Sequence, residues 1–151
     1  MAYEMMKKEA PKEILLSVWN CDGCLWTQPG RLEEVMHGRD IIMLTETHES
    51  PERGLPYVRG YQWESTYRQS TRRHGASRGS GGIAILVRKE LQARVSVVQR
   101  DPEARYMWVK IQLATDRVIH VAVCYFPPRG STFAGHTERS EEIEGADIEE
   151  E

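Results

Sequence analysis

The chain has 151 residues, 40% hydrophobic and 28% charged, with a formal net charge of −3. That suits one globular domain, and it is small for an enzyme with a two-sheet core. No apolar run approaches the ~20 residues needed to cross a bilayer, and residues 1–12 are polar and lysine-bearing with no apolar h-region, so the expectation is a cytoplasmic or nuclear protein without membrane contact.

Residues 13–20 (EILLSVWN) are a short apolar run bounded by polar residues, the pattern of a buried strand. Gly23 and Pro29-Gly30 mark a loop. Residues 31–37 place Leu32, Val35 and Met36 at helical spacing, and Gly38 stops them, giving one short amphipathic helix. Residues 41–45 (IIMLT) form a second buried strand. Strand, helix, strand with short links is a crossover unit, so the two strands should be parallel neighbours or close to it, ending at the same rim.

Ser50-Pro51 and Gly54-Leu55-Pro56 make a loop, after which residues 61–68 read as a strand with Tyr61, Trp63 and Tyr67 on one face. Residues 69–81 are rich in Arg, Ser and Gly without periodicity and read as a mobile surface loop. Residues 83–87 (IAILV) and 95–98 are further strands. Residues 106–113 and 118–126 form an antiparallel pair joined at Ala114-Thr115-Asp116-Arg117. Pro127-Pro128 ends the last strand, and beyond Phe133 no segment has an apolar face. The expected organisation is therefore a polar extension over 1–12, a folded region over 13–130 and an acidic disordered tail over 131–151.

Charge is unevenly placed. Residues 138–151 hold eight acids and one base, a local charge of −7, which leaves +4 for the rest of the chain. Between Arg59 and Arg105, ten Lys or Arg residues stand against four acids. Such a stretch suits a phosphate backbone, and equally a charged surface without a partner. Three cysteines, Cys21, Cys24 and Cys124, make no disulfide framework. Cys21-x-x-Cys24 lacks a second pair or a His-x-x-x-His, so both read as ordinary thiols beside a turn.

Two segments carry the chemistry. Ser17-Val18-Trp19-Asn20-Cys21-Asp22-Gly23 and Asp40-Ile41-Ile42-Met43-Leu44-Thr45-Glu46-Thr47-His48 are apolar runs that end abruptly in oxygen-bearing side chains. At the shared rim of a crossover, Asn20, Asp22 and Glu46 converge where a hard divalent cation could be held. Each residue alone has a plainer reading: Asp22 before Gly23 as turn chemistry, Tyr125 as core packing. His48, His74 and His120 show no ligand spacing and read as surface or strand residues.

The order of motifs resembles the endonuclease/exonuclease/phosphatase superfamily. Residues 18–23 (VWNCDG) look like its first motif and residues 40–47 (DIIMLTET) like its second, while residues 81–86 (GGIAIL) look like its Gly-Gly strand. Val123-Cys124-Tyr125-Phe126-Pro127-Pro128 looks like its Tyr-x-Pro motif. Thr-Glu-Thr followed by His, with the Arg-rich loop, leans towards the endonucleases of non-LTR retrotransposons, and next towards abasic-site endonucleases. The resemblance implies an α/β fold, the N-terminal half of a four-layer α/β sandwich, with a mixed, largely antiparallel sheet and one short helix. It implies Mg²⁺ or Mn²⁺ held chiefly by Glu46 with Asp22 near the same ion, directly or through water. Asn20 would hydrogen-bond the scissile phosphate or orient its surroundings, and Tyr125 would donate its hydroxyl to a phosphate oxygen. Arg72, Arg73 and Arg78 could steer a DNA backbone.

The family's second half normally adds an Asp-x-Asn and a late Ser-Asp-His, which supply the base that activates water, and a second sheet packed on the first. Neither motif occurs here, and the only aspartate after Tyr125 is Asp147. The expected function is thus a metal-dependent, endonuclease-like phosphodiesterase fragment of retrotransposon descent, inactive in isolation unless a complementing C-terminal half or another partner joins it. A non-catalytic nucleic-acid-binding or interaction module is the alternative.

Overall fold

The computed structural model describes residues 13–28, 30–68, 81–114 and 116–126. The polar extension, residues 69–80 of the Arg-rich loop and the acidic tail lie outside the described residues.

Two central strands organise the fold. β2 (Ile41–Thr45) is buried at every position, and β4 (Ile83–Arg88) at every position but its last. Such continuous apolar runs are the mark of strands covered on both faces. β2 pairs in parallel with β1 (Leu16–Asn20) and antiparallel with β4, and β4 pairs antiparallel with β3 (Tyr61–Thr66), so the sheet order is β1-β2-β4-β3. The crossover expectation holds, with Leu16 opposite Ile41 and Asn20 opposite Thr45.

The crossover contains two short helices rather than one. α1 (Cys24–Thr27) precedes α2 (Arg31–Val35), and each buries a single leucine, Leu25 and Leu32. A four-residue turn with one buried side chain is too short to display a period, which is why it reads as loop in the sequence. These helices cover one face of the sheet, where Ile42, Leu44, Ala84 and Leu86 pack against Leu25, Leu32, Met36 and Val58. β3 ends at Thr66, so Tyr67 does not extend the face of Tyr61 and Trp63 as expected. Tyr61 packs on this same cluster and its hydroxyl donates to the Arg39 carbonyl at 2.6 Å.

The α/β class and the largely antiparallel pairing are as expected, but the strands divide between two sheets within this chain. A 3₁₀ turn at Lys89–Leu91 and a left-handed Gln92 (φ 49°) carry the chain out of the first sheet. β5 (Arg94–Arg100), β6 (Tyr106–Gln112) and β7 (Val118–Cys124) then form an antiparallel sheet of their own, with an irregularity between Val97 and Gln99. Strand periodicity states which face is apolar but not which sheet a strand joins, so the division was not visible in the sequence. Met107, Val109 and Ile111 of β6 and Val121 and Val123 of β7 pack on Ile41, Met43, Ile83, Ile85 and Val87, making the larger core between the sheets.

That second sheet does not reach β1. Leu16 and Val18 lie in register with Ile41 and Met43, on the inter-sheet face, yet are 43% and 66% exposed. Among the described residues β7 pairs only with β6, and it packs against β2 and β4. Exposed apolar side chains on an inner face are the geometry of a sandwich covered only in part.

Two local devices hold the connections. Asp101 is buried and accepts from the Arg105 backbone N–H at 3.0 Å and from its Nε and Nη2 at 2.8 and 3.2 Å, closing the turn between β5 and β6. Gly81 and Gly82 enter β4 with φ of 65° and 90°, and a Cβ on Gly82 would run into the Oγ1 of buried Thr47. Backbone bonds from Thr47 N to the Gly82 carbonyl (3.2 Å) and from His48 N to the Gly81 carbonyl (2.8 Å) require that close approach.

The hydrogen bonds from Arg105 hold the Asp101 carboxyl below its ordinary value of 3.8. Its folded pKa being depressed, the stability it contributes is fully present above the unfolded value and is lost as pH falls through the folded one. Asp101→Asn is expected to cost about 1–3 kcal/mol at neutral pH and to flatten the acid limb of stability against pH. Urea titration from pH 2 to 7 reads both, and an unchanged acid limb would contradict the assignment.

Gly82→Ala is expected to cost about 1–3 kcal/mol, because strain at positive φ and collision with Thr47 act together. Gly60→Ala, also at positive φ (83°) but with nothing within 4 Å of the added Cβ, provides the comparison. Denaturation midpoints should drop further for Gly82→Ala than for Gly60→Ala, and equal losses would remove the close approach from the explanation.

Candidate metal centre

Beyond their last paired residues, β1 and β2 continue to hold each other. Cys21 N donates to the Thr45 carbonyl at 3.0 Å and Gly23 N to the Glu46 carbonyl at 2.8 Å. The Cys21 thiol lies against the Thr45 and Glu46 carbonyls at 3.3 and 3.4 Å. Burial pushes this thiol up to about 12, so Cys21 acts here as a small buried group with a weak donor. Cys24 and Cys21 are both free, in keeping with ordinary thiols beside the turn.

Three non-glycine residues at this rim adopt left-handed backbone: Asp22 (φ 43°), Glu46 (φ 53°) and His48 (φ 54°). Such conformations cost free energy and persist where surrounding bonds fix them. They turn the three side chains towards one another, so that one donor atom from each of Asp22, Glu46 and His48 lies within 4.8 Å of the other two. Two carboxylates and an imidazole form a donor set suited to a divalent cation. Asp22 is exposed, Glu46 half-buried and His48 buried. Asn20 is exposed at the end of β1, and its Oδ1 accepts from Asp22 N at 3.3 Å, leaving its amide N–H groups as the part able to donate to an anion.

Tyr125 arrives from the other sheet. Its backbone N donates to the Arg105 carbonyl at 2.7 Å, and its hydroxyl hydrogen-bonds to Glu46 Oε1. Burial first, and the Glu46 carboxylate second, raise the phenol to about 12, which keeps it a donor throughout the physiological range. The structure therefore brings Asn20, Asp22, Glu46 and Tyr125 to one rim from both sheets. With one Glu46 oxygen on Tyr125, the other is available to a cation.

His48 departs from its sequence reading. It is 8% exposed, its Nε2 lies 3.7 Å from Asp22 Oδ1, and its ring occupies the place that a Cβ on Gly23 would take. Spacing rules look for two ligands on one helix or hairpin, whereas these donors come from the ends of two strands. The signal was the parallel register itself, which sets residues just past Asn20 beside those just past Thr45. His120, by contrast, is exposed on β7 as expected, and His74 lies outside the described residues.

Much of the positive segment is neutralised. Arg68 pairs with Glu103 at 3.1 Å, Arg88 with Asp40 at 2.6 Å, Arg100 with Glu64 at 2.8 Å and Arg105 with Asp101 at 2.8 Å. Lys89 stacks over the Tyr57 ring at 5.9 Å. These bases hold the fold together, so the count of ten overstates what a phosphate backbone would meet. Arg72, Arg73 and Arg78 lie outside the described residues. Among the described residues no helix is long and apolar enough to cross a membrane.

The crystal structure of the AP endonuclease LMAP from Leishmania major is similar to this chain, with a TM-score of 0.61 at 18% sequence identity. The similarity covers 87% of this chain and 45% of that one, so the chain spans less than half the length of the structure it resembles. At that identity the likeness is one of fold. Comparison with curated proteins gives no match. The model of the Endonuclease/Exonuclease/phosphatase family matches residues 17–147, most of the sequence and every side chain of the rim just described, and the chain belongs to that family.

Proposed function

We propose that this chain is the metal- and phosphate-binding half of a phosphodiesterase that acts on DNA, descended from a non-LTR retrotransposon endonuclease. The observation that carries this reading is the convergence of Asp22, Glu46 and Tyr125 from three strand ends on one rim. Asp22 and Glu46 would hold Mg²⁺ or Mn²⁺, and the ion supplies neutralisation of charge that develops on phosphate oxygens. Tyr125 donates a hydrogen bond, and the amide of Asn20 donates another, to orient the phosphodiester. Retrotransposon descent rests on the Thr-Glu-Thr-His motif and the Arg-rich loop.

Hydrolysis also needs a group that takes a proton from the attacking water. No Asp-x-Asn follows Tyr125 in this sequence, and a positioned base typically contributes about 10²–10⁴-fold. The uncovered Leu16 and Val18 support a complementing half as the partner, since such a half would cover β1 and could bring that base. Without such a half, the same chain would serve as a non-catalytic nucleic-acid-binding module.

The purified chain is expected to bind duplex DNA weakly and with steep salt dependence, and to show no plasmid nicking above background in Mg²⁺ or Mn²⁺. The assay compares wild type with Glu46→Ala. Metal-dependent nicking that disappears in the variant would show that this chain is catalytic alone. Absence of any salt-sensitive DNA binding would remove DNA as the substrate.

A further inference from the structure

We infer that His48 is a third ligand of the metal centre, through Nε2, and that it gives the site a preference for a first-row transition ion over Mg²⁺. The inference rests on the reading of Asp22 and Glu46 as metal ligands. It adds an imidazole to a centre otherwise built from oxygen.

The ring is held in place rather than free to swing. Its backbone N is tied to the Gly81 carbonyl at 2.8 Å, its φ of 54° is left-handed, and it is 8% exposed. Nδ1 lies over Gly23, where glycine leaves the space that a Cβ would fill. Nε2 faces the site, 3.7 Å from Asp22 Oδ1. Tyr125 hydrogen-bonds to Oε1 of Glu46, so the same carboxylate is held from the second sheet.

Distances favour one shared ion. Donors bound at about 2.1 Å lie about 3 Å apart when adjacent and about 4.2 Å apart when opposite. The three donor atoms here lie within 4.8 Å of one another, so an ion would draw them together by small side-chain rotations. Chemistry then sets the preference. Mg²⁺ takes oxygen donors and sheds water reluctantly, so an imidazole adds little to its binding. Transition ions accept imidazole readily, and their affinities rise from Mn²⁺ towards Co²⁺ and beyond.

The full chain loaded with Mn²⁺ reports ligation directly, because a coordinated imidazole couples its nitrogen to the electron spin. Pulsed electron paramagnetic resonance of the wild type should show ¹⁴N modulation that disappears in His48→Gln. Equilibrium titration of that variant should show a loss of about tenfold or more in Co²⁺ affinity, at least the scale of losing a group that only orients a ligand, with Mg²⁺ affinity changed much less. Mn²⁺ bound with no ¹⁴N modulation in the wild type overturns the inference whatever the variant does. Loss of binding in Glu46→Ala alongside that result leaves the two-carboxylate centre standing. Mn²⁺ and Co²⁺ binding indifferent to Glu46→Ala overturns the metal centre itself, and His48 with it.

Discussion

The site depends on the parallel pairing of β1 with β2. Because the strands run in the same direction and in register to their last residues, Asn20 opposite Thr45, both chains leave the sheet at one rim. The Cys21 and Gly23 amides then bond the Thr45 and Glu46 carbonyls, extending the pairing past the strands. A slip of one residue would reverse which side chains face each layer and would carry Glu46 away from Asp22. The apolar cores on both faces of β2 oppose such a slip, so packing far from the rim fixes geometry at it.

Backbone strain gathers at the rim of the candidate site. Asp22, Glu46 and His48 are three of the six non-glycine residues with positive φ among those described. Glycines supply the room: Gly23 beneath the His48 ring and Gly82 against Thr47. A left-handed residue after a strand turns its side chain back across the rim, which an extended residue would not do. The cost is distributed over a short, well-bonded stretch, as expected where ligand geometry is set before any ligand arrives.

Polar contacts on this chain divide into two kinds of work. Asp40 accepts from the Leu15 amide at 2.8 Å and pairs with Arg88, fastening the entry of β1 and β2 to β4. Asp101 with Arg105 and Arg100 with Glu64 fasten the second sheet to itself and to the first. At the rim Asp22 faces His48, and Glu46 meets the neutral Tyr125 hydroxyl.

The sequence by itself determined the strands and the oxygen-bearing residues at their ends. Apolar runs of strand length placed β2 without error at both ends and the others to within a few residues, because burial on both faces leaves a continuous hydrophobic signal. Strand, helix, strand in that order marks a crossover, so strands parallel or nearly so, with a common rim for Asn20, Asp22 and Glu46, followed from chain order, and the register agrees. Tertiary structure alone decided the rest. Which sheet β5, β6 and β7 join depends on where the chain turns at Gln92, and no periodicity records that. The position of His48 depends on left-handed backbone at two residues and on space above Gly23, both set by contacts between segments distant in sequence. Tyr125 meets Glu46 only because two sheets stack, a packing distance that no local pattern encodes.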